Sequence, residues 1–140
     1  MTTSKVLLLF LLLVLNSGCE FDLHPETIVR GQVILNGSDE PISNAAIIIR
    51  QIQVYNSLPQ NDLLISAETI LCDEEGNFEY TFGPIDSANG FTIVAALWDP
   101  NRDEYVGQNT LCRIGDWMNC SGNAFGEVYD NYILEIYDWE

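Results

Sequence analysis

The feature that most limits what this chain can fold into is a period-two alternation of apolar and polar residues from Thr27 onward. In Phe78–Phe82 every second side chain is aromatic and the others are polar, which is typical of a strand buried on one face. Thr27–Leu35 alternates in the same way. No stretch after Thr27 shows the three-to-four-residue spacing of an amphipathic helix, so the pattern predicts an all-β protein.

Seven segments carry this strand pattern, and residues that favour turns (Gly, Asn, Asp and Pro) separate them. The predicted strands are Thr27–Leu35, Ala46–Tyr55, Leu63–Cys72, Phe78–Phe82, Phe91–Trp98, Tyr105–Cys112 and Tyr129–Trp139. Short strands with turn signals between them favour an antiparallel β-sandwich. We therefore predict one domain, residues 27–140, built as an antiparallel seven-stranded sandwich.

Three short motifs follow one another in the first two thirds of this domain. They are Gly31-Gln32-Val33, Glu40-Pro41-Ile42-Ser43-Asn44-Ala45 and Asp73-Glu74-Glu75-Gly76-Asn77-Phe78. Together they resemble the carboxypeptidase regulatory-like domain, a transthyretin-like (prealbumin-like) β-sandwich, with its G-x-V strand, P-[IV]-x-[GN]-A turn and D-x-x-G-x-[FY] hairpin. The resemblance implies a transthyretin-like fold and an accessory module without catalytic residues.

The first 18 residues have the composition of an export signal. Lys5 precedes the unbroken apolar run Val6–Leu15, which is too short for a membrane-spanning helix of about 20 residues but matches the apolar core of a cleavable signal. Asn16-Ser17-Gly18-Cys19 follows this run, and the whole stretch resembles a bacterial lipoprotein signal peptide. The resemblance implies that residues 1–18 are removed, that Cys19 is diacylated, and that residues 19–26 form a tether.

The chain is strongly acidic, with 21 Asp and Glu against 5 Lys and Arg and a formal net charge of −16. Such a field repels nucleic acid and anionic lipid headgroups, so we expect no nucleic-acid partner and contact with the membrane only through the lipid anchor. Glu20 and Asp22, beside Cys19, resemble the acidic stretch that some lipoproteins use for delivery to the outer membrane or cell surface. The expected location is therefore the bacterial cell envelope, and the expected partner is another envelope protein.

Export also favours disulfides over metal thiolates for the cysteines of the domain. Seven residues, among them Gly115 and Asn119, separate Cys112 from Cys120, and this short spacing favours a disulfide between these two. The two pairings that use Cys72 remain open.

The sequence offers little that could perform catalysis. The sole histidine, His24, lies in the tether, and the chain has no G-x-S-x-G, Gly-rich phosphate loop or HExxH motif. Asp99, Asn101 and Asp103 place oxygen side chains at the first, third and fifth positions, as calcium loops do, although a polar turn is the alternative. We expect no catalytic residue and no cofactor, with calcium at this loop as the candidate metal.

These observations predict a lipid-anchored accessory protein that binds or holds another chain without catalysis. The recognition surface is expected at a sandwich end formed by Asp99–Glu104 and the Cys112–Cys120 loop. An acidic inhibitor or immunity-type lipoprotein that binds a basic enzyme is the alternative, and a hydrolase ranks third. An acidic concavity of a single sign would favour the inhibitor, whereas an apolar patch of roughly several hundred Å² would favour an assembly partner.

Overall fold

The computed structural model describes residues 26–55, 62–114, 117–118, 120–121 and 123–137. All regular secondary structure within these residues is β-strand, and no helix among them is long and apolar enough to cross a bilayer. The predicted signal peptide, Cys19 and the tether up to residue 25 lie outside the described residues, as does Trp139 at the end of the last predicted strand.

Nine strands form in the described part of the chain. They are β1 (Thr27–Leu35), β2 (Ala46–Gln53), β3 (Leu63–Leu71), β4 (Asn77–Phe82), β5 (Gly90–Asp99), β6 (Glu104–Gly107), β7 (Thr110–Ile114), β8 (Trp117–Met118) and β9 (Val128–Ile136). A five-stranded sheet has the order β4-β1-β9-β7-β8, and a four-stranded sheet has the order β3-β2-β5-β6. The prediction of an all-β sandwich is confirmed.

Two details of the predicted sandwich are wrong. First, β1 and β9 pair in parallel, while the other strand pairs are antiparallel. Parallel pairing is possible here because the whole domain, rather than a hairpin, connects the two strands. Second, the structure has nine strands where seven were predicted, because the predicted strand Tyr105–Cys112 is divided between β6 and β7 and because β8 is an additional two-residue strand.

The chain changes sheets between β6 and β7. The Gln108 amide donates a hydrogen bond to the Ala95 carbonyl (2.8 Å), so the segment still follows β5 at this point. The Thr110 hydroxyl then accepts from the Ala95 amide (3.1 Å) and donates to the Gln108 carbonyl (2.9 Å). The Thr110 hydroxyl thus provides hydrogen bonds for the Ala95 amide and the Gln108 carbonyl at the point where the chain passes from one sheet to the other. Neither of these backbone groups is left unpaired by the crossover.

The inward side chains of both sheets form a single core. Phe91 on β5 lies near its centre, with its ring edge-to-face against Phe82 (centroids 5.0 Å apart) and Tyr129 (5.7 Å). The largest fully buried side chains are Tyr132, Phe91, Ile47, Ile93, Leu134, Val29 and Val33. Burial of each large apolar side chain stabilises the folded domain by about 1.5–3 kcal/mol.

A β-bulge interrupts the parallel pair at its middle. Val29 pairs with Tyr129 and Gly31 pairs with Tyr132, so β9 holds one more residue than β1 in this interval. Asn131 lies in the bulge with φ of 58°. The bulge pushes the Tyr132 carbonyl towards β1, and a Cβ atom on Gly31 would lie 1.8 Å from that oxygen. Residue 31 must therefore be glycine.

The three sequence motifs meet at one corner of the sandwich. Gly76, in the turn between β3 and β4, adopts φ of 73° and accepts a hydrogen bond from the Val33 amide (2.9 Å). The Val33 carbonyl in turn accepts from the Ile42 amide (2.9 Å). Asp73 shapes the turn by accepting from the amides of Glu75 (3.0 Å) and Asn77 (2.7 Å). Backbone hydrogen bonds between the motif residues thus hold two turns against β1.

Candidate functional surfaces

The predicted calcium residues lie in the hairpin turn between β5 and β6. The Asp99 Oδ1 atom accepts a hydrogen bond from the Asn101 amide (2.8 Å), and its Oδ2 atom lies 3.6 Å from Arg102 Nε. Asp103 has φ of 55°, as the last residue of a tight turn. Among the described residues there is no group of three or more His, Cys, Asp or Glu that could hold a metal ion. The Asp99 carboxylate closes a polar turn, and the positive charge of Arg102 beside it disfavours a cation at this loop.

A disulfide joins Cys112 to Cys120, the pair that the short spacing favours. Cys112 is buried on β7, and its Sγ atom lies 3.7 Å from the Ile93 carbonyl oxygen of the opposite sheet. The Cys120 carbonyl accepts from the Ile93 amide (2.9 Å). The bond thus holds the segment after β8 against the first half of β5.

The third cysteine of the domain, Cys72, is a free thiol at the end of β3. It is buried in the core, and its amide donates to the Ala45 carbonyl (2.8 Å). Burial, and next the negative charge of Asp73, raise the pKa of this thiol to about 11. A protonated, enclosed thiol is a structural group and a poor nucleophile.

The expectation that Asp99–Glu104 and the Cys112–Cys120 segment form one recognition surface is wrong. The disulfide lies beside Ile93, whereas Asp99 is six residues farther along the same strand. At about 3.4 Å per residue the two features are roughly 20 Å apart, at different places along β5. The cause is the change of sheet after β6, which carries β7 back along β5.

An open groove of about 480 Å³ lies on the outer side of β4, β1 and β9, around the bulge. Its main charged group is Arg30, which contacts Asp130 (3.0 Å) and Glu79 (3.2 Å). The hydrogen bond to Asp130, followed by the weaker effect of the hydrogen bond to Glu79, raises the pKa of Arg30. Gln32 at the groove donates to the Glu75 carbonyl (2.9 Å). The charged groups around the groove are therefore of both signs and are already paired with one another.

The outer face of the four-stranded sheet is different in character. The strand register and the alternation of buried residues place on it the large apolar residues Ile48, Leu71, Val94, Trp98 and Tyr105, the small residues Ala46, Ala67, Ala96 and Gly107, and the polar residues Arg50, Thr69 and Thr92. We refer to these twelve residues as the apolar face. None of them is acidic, although the chain has 21 Asp and Glu.

Several side chains of the apolar face are open to solvent. Leu71 on the edge strand β3 is 65% exposed, and Trp98 on β5 is 49% exposed. The Trp98 ring meets Tyr105 edge-to-face, with centroids 5.2 Å apart. Gly107 leaves Val94 and Ile48 uncovered, because a Cβ atom at that position would contact both side chains. The outer face of an antiparallel sheet is often polar, so this apolar face is a candidate contact surface.

Arg50 forms the polar end of the apolar face. Its neighbours across the sheet are Ala67 on β3 and Thr92 on β5. No carboxylate among the described residues lies within 4.0 Å of its guanidinium nitrogens. The other arginines of the domain differ: Arg30, Arg102 and Arg113 each contact a carboxylate.

Sequence reasoning missed the apolar face as a site, although a signal was present. The run Ile47-Ile48-Ile49 on β2 and the run Val94–Trp98 on β5 are continuously apolar instead of alternating. Such runs indicate a strand that is apolar on both faces. In a two-layer sandwich only one face is covered by the other sheet, so the second face must remain uncovered or meet a partner.

Comparisons with known proteins add little to this description. No family model and no curated protein sequence matches the chain. Among solved structures, a 9R-lipoxygenase from Cyanothece PCC8801 is similar with a TM-score of 0.39 and 13% sequence identity. The similarity covers 82% of this chain and 16% of the lipoxygenase chain, so this chain spans about a sixth of that protein. A likeness of this size carries no argument about function.

Proposed function

We propose that this protein is a lipid-anchored accessory module of the bacterial cell envelope, which binds or holds another envelope protein and performs no catalysis. The observation that carries this proposal is the apolar face: Leu71 and Trp98 are about half exposed or more, on a sheet surface that holds no acidic residue. A soluble domain with so acidic a composition has ample polar residues for an outer sheet face. Leaving one apolar is consistent with an assembly surface.

The charges around the groove disfavour the alternative that this protein is an acidic inhibitor. An inhibitor of a basic enzyme is expected to present an acidic concavity of one sign. The groove around Arg30 instead combines that cation with Asp130 and Glu79, and the carboxylates are engaged by the arginine. The acidic residues then act as a general solvated surface that keeps the domain soluble.

We further propose that the sandwich is a carboxypeptidase regulatory-like, transthyretin-like domain. The support is that the three motifs of the resemblance are in contact with each other through Val33. The Val33 amide donates to the Gly76 carbonyl (2.9 Å), and the Val33 carbonyl accepts from the Ile42 amide (2.9 Å). Gly31 and Gly76 also stand where a side chain would collide with backbone atoms. The motif residues are thus required by the same region of the structure, where the two turns pack against β1.

The anchor is tested by changing Cys19 to Ser in the full-length protein and following detergent phase partition. Wild-type protein should enter the detergent phase and label with palmitate, and C19S should do neither. Cys72→Ala is the matched control, because it removes a cysteine that the structure buries in the domain. If C19S enters the detergent phase as the wild type does, the protein is not lipid-anchored at this residue.

A further inference from the structure

Resting on the proposed function, we infer that Arg50 selects the partner of the apolar face. The face docks a protein surface that is apolar and carries a carboxylate opposite Arg50. An accessory role alone does not specify the chemistry of the partner, whereas an arginine on an apolar face, without a carboxylate partner among the described residues, does.

Arg50 differs from the other arginines of the domain in its ion pairing. Arg30 contacts Asp130 at 3.0 Å, and Arg102 contacts Asp99 at 3.6 Å. Arg113 contacts Glu135, which is 6% exposed. In a chain with so many carboxylates a surface arginine is expected to have one close by, yet Arg50 has none among the described residues.

The neighbours of Arg50 on the sheet surface are uncharged. Ala67 and Thr92 flank it across the sheet, and Ile48 lies two residues away on the same face. None of these side chains is charged, and Arg50 itself is exposed. A guanidinium binds a carboxylate through two parallel hydrogen bonds and is weakly hydrated, so it suits an interface from which water is excluded.

Charge then decides between the possible occupants. A second copy of the chain docking face to face would set Arg50 against a face that has no acidic residue, leaving both guanidinium groups without a carboxylate. An anionic lipid surface is repelled by a molecule of net charge −16. A protein surface with apolar residues around an Asp or Glu matches both the apolar face and Arg50.

The experiment places a photo-crosslinking amino acid, benzoylphenylalanine, on the full-length protein in the cells that express it naturally. Position 71 probes the apolar face, and position 128 is the control because Val128 is 56% exposed on the other sheet. We expect a crosslink to one protein from position 71 and none from position 128. Mass spectrometry of the crosslinked peptide then identifies the partner's contacting segment and its acidic residue.

Charge reversal tests the role of Arg50. Arg50→Glu should lower the crosslinking yield from position 71 at least tenfold, while Arg102→Glu, which changes the net charge equally, should leave it within twofold. Changing the partner's acidic residue to arginine should restore crosslinking of R50E. Urea unfolding midpoints of both variants verify that they are folded.

Each other outcome overturns the inference. An adduct of twice the chain mass identifies a second copy as the occupant, and a lipid adduct identifies the membrane. Loss of the crosslink in R102E but not in R50E places the partner at the β5–β6 turn. Absence of any adduct from position 71 leaves the face without a partner. The C19S partition test is independent of these results, so lipid anchoring can stand when the inference about Arg50 fails.

Discussion

Replacing Gly31 by alanine should destabilise the sandwich by roughly 3–5 kcal/mol. The added Cβ atom would lie 1.8 Å from the Tyr132 carbonyl oxygen, 2.7 Å from the carbonyl carbon and 2.9 Å from Phe78 Cζ. Contacts shorter than 3.0 Å force a displacement. The phenylalanine ring can shift slightly, but the Tyr132 oxygen belongs to backbone that is held inside the sheet.

The magnitude follows from what must move. β9 lies between β1 and β7, so separating β1 from β9 by more than 1 Å strains hydrogen bonds in the middle of the five-stranded sheet. Two weakened backbone hydrogen bonds cost about 1 kcal/mol each, and overpacking of the core around Tyr132 adds about 1–3 kcal/mol. Total stabilities of domains are typically about 5–15 kcal/mol, so G31A is expected to be marginally folded.

Urea unfolding followed by far-UV circular dichroism measures this effect. Gly83→Ala is the matched control, because a Cβ atom there has no atom within 4 Å and the backbone does not have positive φ. G83A should be neutral or stabilising by up to about 1 kcal/mol. The melting temperature of G31A should fall by about 4 °C for each kcal/mol lost. A free energy of unfolding for G31A within 1 kcal/mol of the wild type would refute the close approach at the bulge.

Three further predictions concern groups with defined chemistry. Reducing the Cys112–Cys120 disulfide should lower the free energy of unfolding by about 2–3 kcal/mol, measured in urea with and without reductant; an unchanged midpoint would count against it. In the folded protein at pH 8, Cys72 should react with iodoacetamide at least a hundredfold more slowly than in urea, because a pKa of about 11 leaves about one thiol in a thousand ionised. Mass spectrometry measures both rates, and equal rates would contradict the burial of Cys72. Burial and the Glu68 contact raise the pKa of Tyr80 from 10.0 to about 12. As the pH rises, the Tyr80 hydroxyl therefore loses its proton in the unfolded chain before it does so in the folded domain. The free energy of unfolding should consequently fall between pH 10 and pH 12. Tyr80→Phe should weaken that pH dependence of the urea midpoint, and an identical pH profile for the variant would argue against the assignment.

Much of the secondary structure was predictable because it depends on local pattern. The alternation in Phe78–Phe82 corresponds to a strand whose Phe78 and Phe82 are buried, and the Asp73–Gly76 turn forms where the motif predicts it. The change of sheet after Gly107 was not predictable, because β6 and β7 show one continuous weak alternation. The Thr110 hydroxyl that permits it acts through Ala95, fifteen residues away.

The surfaces were less predictable than the strands. Pairing of Arg30 with Asp130 depends on contacts between residues 100 positions apart, and the solitary state of Arg50 depends on which side chains the register places beside it. The calcium hypothesis was based on the spacing of Asp99, Asn101 and Asp103, whereas in the turn the Asp99 carboxylate accepts from the Asn101 amide and lies 3.6 Å from Arg102. In each case the outcome depends on tertiary neighbours that spacing along the chain does not report.

The parallel pairing of β1 with β9 also bears on the order in which the sandwich can assemble. Ile28 pairs with Val128, and these residues are separated by almost the whole domain. The four-stranded sheet is built from the sequence-local hairpins β2–β3 and β5–β6, joined by β2–β5 pairing, so it can form first. Non-local pairing of this kind slows folding. While the chain is being synthesised, β1 can therefore pair only with β4 until β9 emerges, and we expect the five-stranded sheet to close last.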